Sequence, residues 1–259
     1  MIQPNLFLRL RPGYERKKLF AKLEKAEIEF ETIGTNCLSF SNAIKLEEIV
    51  ELNREAVIQD YSSQQVGKIF RSISEQLVRL GRSGQPLRVW DCCAASGGKS
   101  ILAKDIFGEV DLTVSDIRES ILFNLKKRFT AAGINKYRSY VADLTASALQ
   151  LSPMDFIICD VPCTGSGTWS RTPEQVYFFD SATIVGYAAL QKKIASNALK
   201  NLNKGGWFLY ITCSVFRKEN EEVVDYLVQT FLLNIISMKT ITGYSDKADT
   251  MFVAMMQRS

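Results

Sequence analysis

Two cysteines carry most of the chemical interest. Cys163 follows an apolar run that ends in an acid, DFIICDVPCTGSGTW (155–169), and Cys213 closes another apolar run, GWFLYITCS (206–214). Cys163 is open to three readings: an attacking group, the helper of another thiol, or a small core residue. The chain contains no histidine. Ser-His and Cys-His dyads are therefore excluded, as are the usual imidazole metal sites. Chemistry here must run on Cys, Asp, Glu, Lys, Tyr and backbone dipoles. Six cysteines are present without a CxxC; Cys92 adjoins Cys93, and Cys159 precedes Cys163 by four. Neither spacing suits zinc or a secreted disulfide framework, and no metal site is expected. Cys37, Cys92 and Cys159 are read as core residues.

From residue 87 onward, strand-like and helix-like segments alternate. LRVWDCC, DLTVSD, SYVAD, DFIICD and GWFLYITC read as strands, and NIISMKTIT and TMFVAMMQ close the chain as two more. Between them GKSILAKDIF, RESILFNLKKRFTAAG, residues 181–202 and ENEEVVDYLVQTF read as helices, the third of them stopped by the Lys204-Gly205-Gly206 turn. Such alternation predicts an α/β fold, a mostly parallel sheet with helices on both faces and a ligand crevice beyond the carboxyl ends of the strands. Those ends carry Asp91, Asp116, Asp143, Asp160 and Cys213. Upstream, LFLRLR and CLSFS read as strands, and ERKKLFAKLEKAEI and KLEEIVELN as helices of a small α+β module. Residues 60–80 form a helix with Val66, Ile69, Phe70, Ile73 and Leu77 on one stripe, and GRSGQP (81–86) is a linker.

DCCAASGGKS, 91–100, invites a phosphate-loop reading. That loop needs a glycine where Cys93 stands. The better reading is a tight strand-to-helix turn in which Ala94, Ala95, Gly97 and Gly98 let a ligand approach the backbone; the plain alternative is close strand–helix packing. Asp116 lies about where a Rossmann acid meets ribose hydroxyls, with a helix cap as the alternative. Asp143 ends the next strand and on its own reads as a cap.

Taken in order, VIQDYSSQ, DCCAASGGKS, VSDI, ADL, DVPCTGSGTWSRTPE, the Gln191 helix and YITCSVFRKENEEVV resemble the RsmB/Sun family of RNA (cytosine-5) methyltransferases, from about residue 56 to the C-terminus. The resemblance implies a Rossmann-like class I domain over 56–259, a seven-stranded sheet, and a small N-terminal module over 1–55. It implies S-adenosylmethionine as cofactor, with Cys93, Ala94, Ala95, Ser96, Gly97, Gly98 and Lys99 around its methionine part, Asp116 at the ribose, Asp143 by the adenine, and Asp160 between cofactor and target base. Cys213 becomes the nucleophile and Cys163 the thiol that helps release product. Lys99 supplies positive charge or pairs with Asp160. Trp169, Arg171 and Arg217 are candidate RNA contacts, with surface packing as the alternative. The expected substrate is a flipped or single-stranded cytosine, in ribosomal RNA first and transfer RNA second. The rivals are an enzyme in which Cys163 attacks, as in DNA cytosine-5 methyltransferases, and a non-catalytic RNA-binding protein that keeps the fold.

Two departures stand out. The family's proline is Ser96 here, which is expected to loosen the turn, and a frequent basic residue before Arg171 is Ser170. The formal net charge of +4 is compatible with a polyanion partner, with basic clusters at Arg9–Lys25 and Lys126–Arg138 that read as solvated faces. No apolar run reaches the length of a membrane span and the start lacks a signal-peptide layout, so a cytoplasmic monomer is expected.

Overall fold

The computed structural model describes residues 3–41, 44–81 and 86–259. Its larger sheet is built from β5 (Leu87–Asp91), β6 (Val110–Asp116), β7 (Arg138–Val141), β8 (Met154–Asp160), β9 (Leu202–Thr212), β10 (Leu233–Ile241) and β11 (Met251–Arg258), in the order β10-β11-β9-β8-β5-β6-β7. β5 pairs parallel with β6 and β8, β6 with β7, and β8 with β9, whereas β11 runs antiparallel to both β9 and β10. This is the mostly parallel arrangement expected from the alternation.

The apolar runs explain the layering. β8 is buried on both faces: Phe156 and Ile158 pack on one side with α2 (Tyr61–Arg79), α3 (Gly98–Phe107) and α4 (Glu119–Ala131). Ile157 and Cys159 pack on the other side with α6 (Ala182–Leu199) and α7 (Glu221–Phe231). The period of two along the strand thus feeds two separate cores. The stripe read on α2 holds, with Val66, Ile69, Phe70 and Ile73 buried. A five-residue α5 (Glu174–Phe178) lies between Cys163 and α6.

The smaller sheet has the order β2-β3-β1-β4, from β1 (Leu6–Leu10), β2 (Glu31–Ile33), β3 (Cys37–Phe40) and β4 (Ala56–Ile58), and it is antiparallel throughout. Helix α1 (Arg16–Lys25) buries Leu19 and Leu23 in its core beside Leu8, Leu38 and Phe40. Ala56–Ile58, from the run that carries the start of the resemblance, is a strand of this sheet.

Two expectations need correction. KLEEIVELN is not a helix: Leu46 and Val50 are buried and Leu46 O accepts from both Ile49 N and Val50 N, but this turn is not continued into a helix. Helix-like spacing over so short a stretch is satisfied by one turn, and Asn53, at φ 67°, then redirects the chain into β4. The helix over 181–202 ends at Leu199, and Gly205 lies inside β9. Arg258 Nη1 donates to Leu199 O at 3.4 Å and Leu202 O at 2.6 Å, which satisfies carbonyls left over at the helix end. Strands β2 and β4 went unread because three-residue strands carry too little pattern. The linker at 82–85 lies outside the described residues.

Candidate active site

All five strand-end residues reach the carboxyl edge of the larger sheet. Asp91, Asp116 and Asp160 are the last residues of β5, β6 and β8, Asp143 lies two past β7, and Cys213 is the first residue past β9. Asp160 stands opposite Ile211 in the β8–β9 register, so the segments bearing Cys163 and Cys213 leave the sheet side by side. A cavity of about 410 Å3 opens there, lined by Asp116, Asp143, Asp160, Cys93, Cys163 and Cys213 among others. A second cavity of about 220 Å3 shares Asp160, Cys93 and Ala95 with it and adds Lys99, Asp91 and Arg128.

The turn between β5 and α3 is shaped by what lies against it. Gly97 has φ +82°, and a Cβ there would come within 2.6 Å of Phe129 and 3.1 Å of Leu125 on α4. Ala95 also adopts positive φ and donates its N–H to Asp116 Oδ2 at 3.0 Å. Ser96 does not leave the turn loose. Arg128 Nη1 donates to Ser96 Oγ at 2.6 Å and to Ser96 O at 3.0 Å, while Arg128 Nε donates to Asn53 Oδ1 at 2.9 Å. A charged side chain does the stiffening that a proline ring would otherwise do.

Asp116 Oδ1 accepts from Arg118 N at 3.0 Å and Arg118 Nε at 3.1 Å. Arg118 is exposed, and the attraction holds its guanidinium above its usual pKa. Asp143 Oδ1 accepts from Thr145 N at 2.8 Å and Thr145 Oγ1 at 2.6 Å, hydrogen bonds that hold its carboxyl below the usual range. It therefore caps a turn and lines the cavity at once. Asp91, 1% exposed, accepts from Ser100 Oγ at 2.6 Å through Oδ2, and its Oδ1 has no partner among the described residues. Burial pushes its carboxyl up to about 7.

Lys99 Nζ donates to Asp160 Oδ2 at 2.5 Å. Burial pulls the lysine pKa down, Asp160 and the Cys213 sulfur pull it up, and the attractions win, so Lys99 stays charged. The thiols are in the opposite condition. Burial pushes Cys163 up to about 12 despite backbone N–H groups of Gly165 and Cys213 that favour its thiolate. Burial and Asp160 raise Cys213 as well, against the pull of Lys99. Alkylation of either cysteine by iodoacetamide, read by mass spectrometry, is expected to be slow near neutral pH. It should climb roughly tenfold per pH unit into the alkaline range, because the thiolate is the reactive form. A plateau below about pH 8 would contradict the arrangement.

Cys213 N donates to Cys163 Sγ at 3.3 Å. The loop bearing Cys163 is stitched to the other thiol's strand: Gly167 N donates to Cys213 O at 2.7 Å, and Thr250 N to Gly167 O at 2.9 Å. A Cβ on Gly167 would stand 2.1 Å from Thr250 O, so no other residue fits there. Beneath both thiols lies Glu219, 0% exposed. Its carboxylate accepts from Thr164 N at 2.9 Å, Thr164 Oγ1 at 2.6 Å, Ser214 Oγ at 2.6 Å and Gln191 Nε2 at 2.8 Å. Gln191 also donates to Pro162 O at 3.0 Å. Glu219 thus ties the residue after Cys163 to the residue after Cys213. Sequence reading passed over it because two of its partners, Gln191 and Thr164, are 28 and 55 residues away; the one available signal was an acid in an otherwise matching motif.

The outer candidates behave differently. Arg171 Nε donates to Asp249 Oδ1 at 2.8 Å and Nη2 to Asp60 Oδ2 at 2.7 Å. It clamps the start of α2 to the start of β11, in line with the packing alternative. Trp169 is half-buried against Phe179, with ring centroids 4.8 Å apart, and Phe179 stacks on Phe216. Arg217 is exposed. Among the described residues no group of His, Cys, Asp and Glu is arranged to hold a metal ion, and no helix is long and apolar enough to cross a membrane.

A family model described as "16S rRNA methyltransferase RsmB/F" matches residues 83–256. The chain is 26% identical over 199 residues to ribosomal RNA small subunit methyltransferase B of Xanthomonas campestris pv. campestris, covering 73% of this chain and 43% of that one. It is 29% identical over 161 residues to the mouse tRNA (cytosine(72)-C(5))-methyltransferase NSUN6, covering 56% of this chain and 33% of that one. The chain spans less than half the length of either relative. The crystal structure of NSun6 from Pyrococcus horikoshii with SFG superposes with a TM-score of 0.80 at 13% identity, over 99% of this chain and 91% of that one, a likeness of fold.

Proposed function

The chain belongs to the 16S rRNA methyltransferase RsmB/F family, and from that premise we propose that it transfers a methyl group from S-adenosylmethionine to carbon 5 of a cytosine in RNA, ribosomal RNA in the first instance. The observation that carries this reading is the pair of cysteines: two thiols on neighbouring strand ends, one backbone N–H bridging them, beside a buried lysine–aspartate pair.

The donor set in the larger cavity fits the cofactor. Ile117, Leu144, Val161, Leu190 and Ile194 offer an apolar wall for a purine, and Asp116 and Asp143 offer acceptors for hydroxyl and amino groups. Cys93, Ala94, Ala95, Ser96, Gly97 and Gly98 would follow its methionine part. When bound, the cofactor supplies an electrophilic methyl group.

The protein's part is to make carbon 5 nucleophilic. Cys213 thiolate adds to carbon 6 of the cytosine; a C–S bond forms and the ring electron pair shifts to carbon 5. Asp160, with Oδ2 held by Lys99, is left with Oδ1 to accept from the exocyclic amine, and the lysine-bound pair holds a proton beside ring nitrogen 3 as charge develops there. Carbon 5 then takes the methyl group and must lose its proton. Solvent water takes that proton; the C–H electron pair re-forms the ring double bond, the C–S bond breaks with its pair on Cys213, and Cys163, protonated at rest, gives that sulfur a proton as it leaves. Burial raises both thiols in the free protein, so Cys213 must give up its proton, to solvent, when it attacks.

Residues 56–259 carry the chemistry in this reading, and 1–55 serve as an RNA-facing module of a protein that works in the cytoplasm. The relative named for tRNA makes transfer RNA the second substrate class. Bisulfite sequencing of ribosomal and transfer RNA from a strain lacking this chain tests both, with loss of one or a few methylated cytosines expected and an unchanged pattern overturning the proposal. Titration calorimetry with S-adenosylmethionine separates the enzyme from a non-catalytic RNA-binding protein, since folded chain that binds no cofactor would favour the latter.

A further inference from the structure

A third cavity, of about 450 Å3, lies away from the thiols, between the smaller sheet and the α2–α3 face. Arg9, Lys68, Arg71 and Asp105 are the charged residues that line it, an excess of two positive charges (three cations less one anion). Arg9 is 6% exposed. Its Nε donates to Gln59 Oε1 at 2.8 Å and its Nη1 to Asp105 Oδ2 at 2.6 Å, but Nη2 is buried with no partner among the described residues. Asp105 does not neutralise the site, because it also takes Arg11, through Nε at 3.0 Å and Nη2 at 2.8 Å. Lys68 and Arg71 are exposed on consecutive turns of α2 and make no ion pair among the described residues.

A buried guanidinium nitrogen without an acceptor costs free energy unless something supplies one. Desolvation together with the nearby positive charges of Arg11 and Arg71 lowers the Arg9 pKa even though Asp105 opposes it. The missing partner is an anion whose acceptor oxygens can be shared among Arg9, Lys68 and Arg71, which line one cavity. A phosphate group of a nucleic acid meets that need: its two non-bridging oxygens share a full negative charge and can be divided among several cations.

We propose that this cavity between the smaller sheet and α2–α3 binds a phosphate group of the RNA chain, held by Arg9, Lys68 and Arg71. The source of the phosphate rests on the RNA reading above; the site itself does not. It gives Arg9, the first residue of that basic run, a role that a solvated face would not have.

The test is fluorescence anisotropy of a labelled single-stranded RNA with the full chain, over a range of salt concentrations and without cofactor. Lys68→Ala and Arg71→Ala leave the packed core untouched. Each is expected to weaken binding about three- to tenfold and to reduce the salt slope by at most about 0.7, the share of one whole phosphate contact on a single strand. Lys239→Ala, on the outer strand β10, is the control and should change neither. Unchanged affinity and slope in both α2 variants, or no binding of RNA by the unsubstituted chain, would overturn the proposal. A second arm compares thermal unfolding in inorganic phosphate and in chloride at equal ionic strength. Stabilisation by phosphate that disappears in Arg71→Ala, with RNA affinity unchanged, would also overturn it and reassign the cavity to a small phosphorylated compound. Because no methyl transfer is read, an absence of 5-methylcytosine would leave this result standing, and the reverse holds too.

Discussion

Replacing Cys163 with alanine is expected to leave the protein covalently joined to its RNA. In the proposed sequence Cys213 forms the bond to carbon 6 and Cys163 assists its breakage. The single substitution should therefore slow release far more than addition. A band that resists denaturing electrophoresis and disappears on ribonuclease treatment should accumulate, with turnover reduced by at least about a thousandfold, a loss typical of removing a group from a covalent mechanism. Cys213→Ala should abolish both methyl transfer and the band, and the double substitution should behave like Cys213→Ala. The opposite outcome, a band with Cys213→Ala and none with Cys163→Ala, would assign attack to Cys163. The geometry makes the experiment clean. Cys163 Sγ accepts the Cys213 N–H at 3.3 Å, so alanine at 163 removes an acceptor but leaves the Gly167–Cys213 and Gly167–Thr250 backbone bonds that hold the loop.

Glu219→Ala should be the most damaging substitution outside the thiols and their charged neighbours. The residue is wholly buried and its carboxylate satisfies four donors. Alanine would leave Thr164 N and Gln191 Nε2 without that acceptor, and the loss of such charge-assisted bonds costs about 3–4 kcal/mol in total, after allowing for non-additivity. For a chain of this size that is roughly a 10 °C fall in Tm. Methyl transfer should fall by about a hundredfold or more below the point of unfolding, since small displacements of reacting groups are expensive. Glu219→Gln supplies the control. Oε1 faces two hydroxyls, Thr164 Oγ1 and Ser214 Oγ, and each can rotate to accept from an amide, whereas Oε2 faces N–H donors that cannot reverse. Glutamine should settle with its nitrogen toward the hydroxyls and recover most of the stability. Calorimetric scanning together with a single-turnover methylation assay reads both variants; equal damage from Ala and Gln would remove the positioning role.

The strand–helix alternation, the strand-end acids and the neighbouring thiols were legible in the sequence because they depend on local pattern. A run such as DFIICD states its own burial, and parallel alternation dictates which ends share an edge. What the sequence concealed depends on contacts between distant polar residues. Arg171 reads as a free cation until Asp60 and Asp249, 111 and 78 residues away, are brought to it. Ser96 reads as a weakened turn until Arg128 arrives from α4. KLEEIVELN has the spacing of a helix, and only the need to enter β4 a few residues later stops it. Polar pairing at long range leaves no periodicity behind, so it cannot be read ahead of the fold.

The pairing of β4 with β1 has a practical meaning for anyone cutting the chain. A fragment begun at residue 56 to isolate the larger sheet would keep Ala56–Ile58 but lose the strand that zips to them. A bare ribbon edge would face solvent, and Asp105, now bound by Arg9 and Arg11, would be stripped of both cations. Such a fragment should clump during purification, whereas one carrying the whole of the first sheet should stay dispersed.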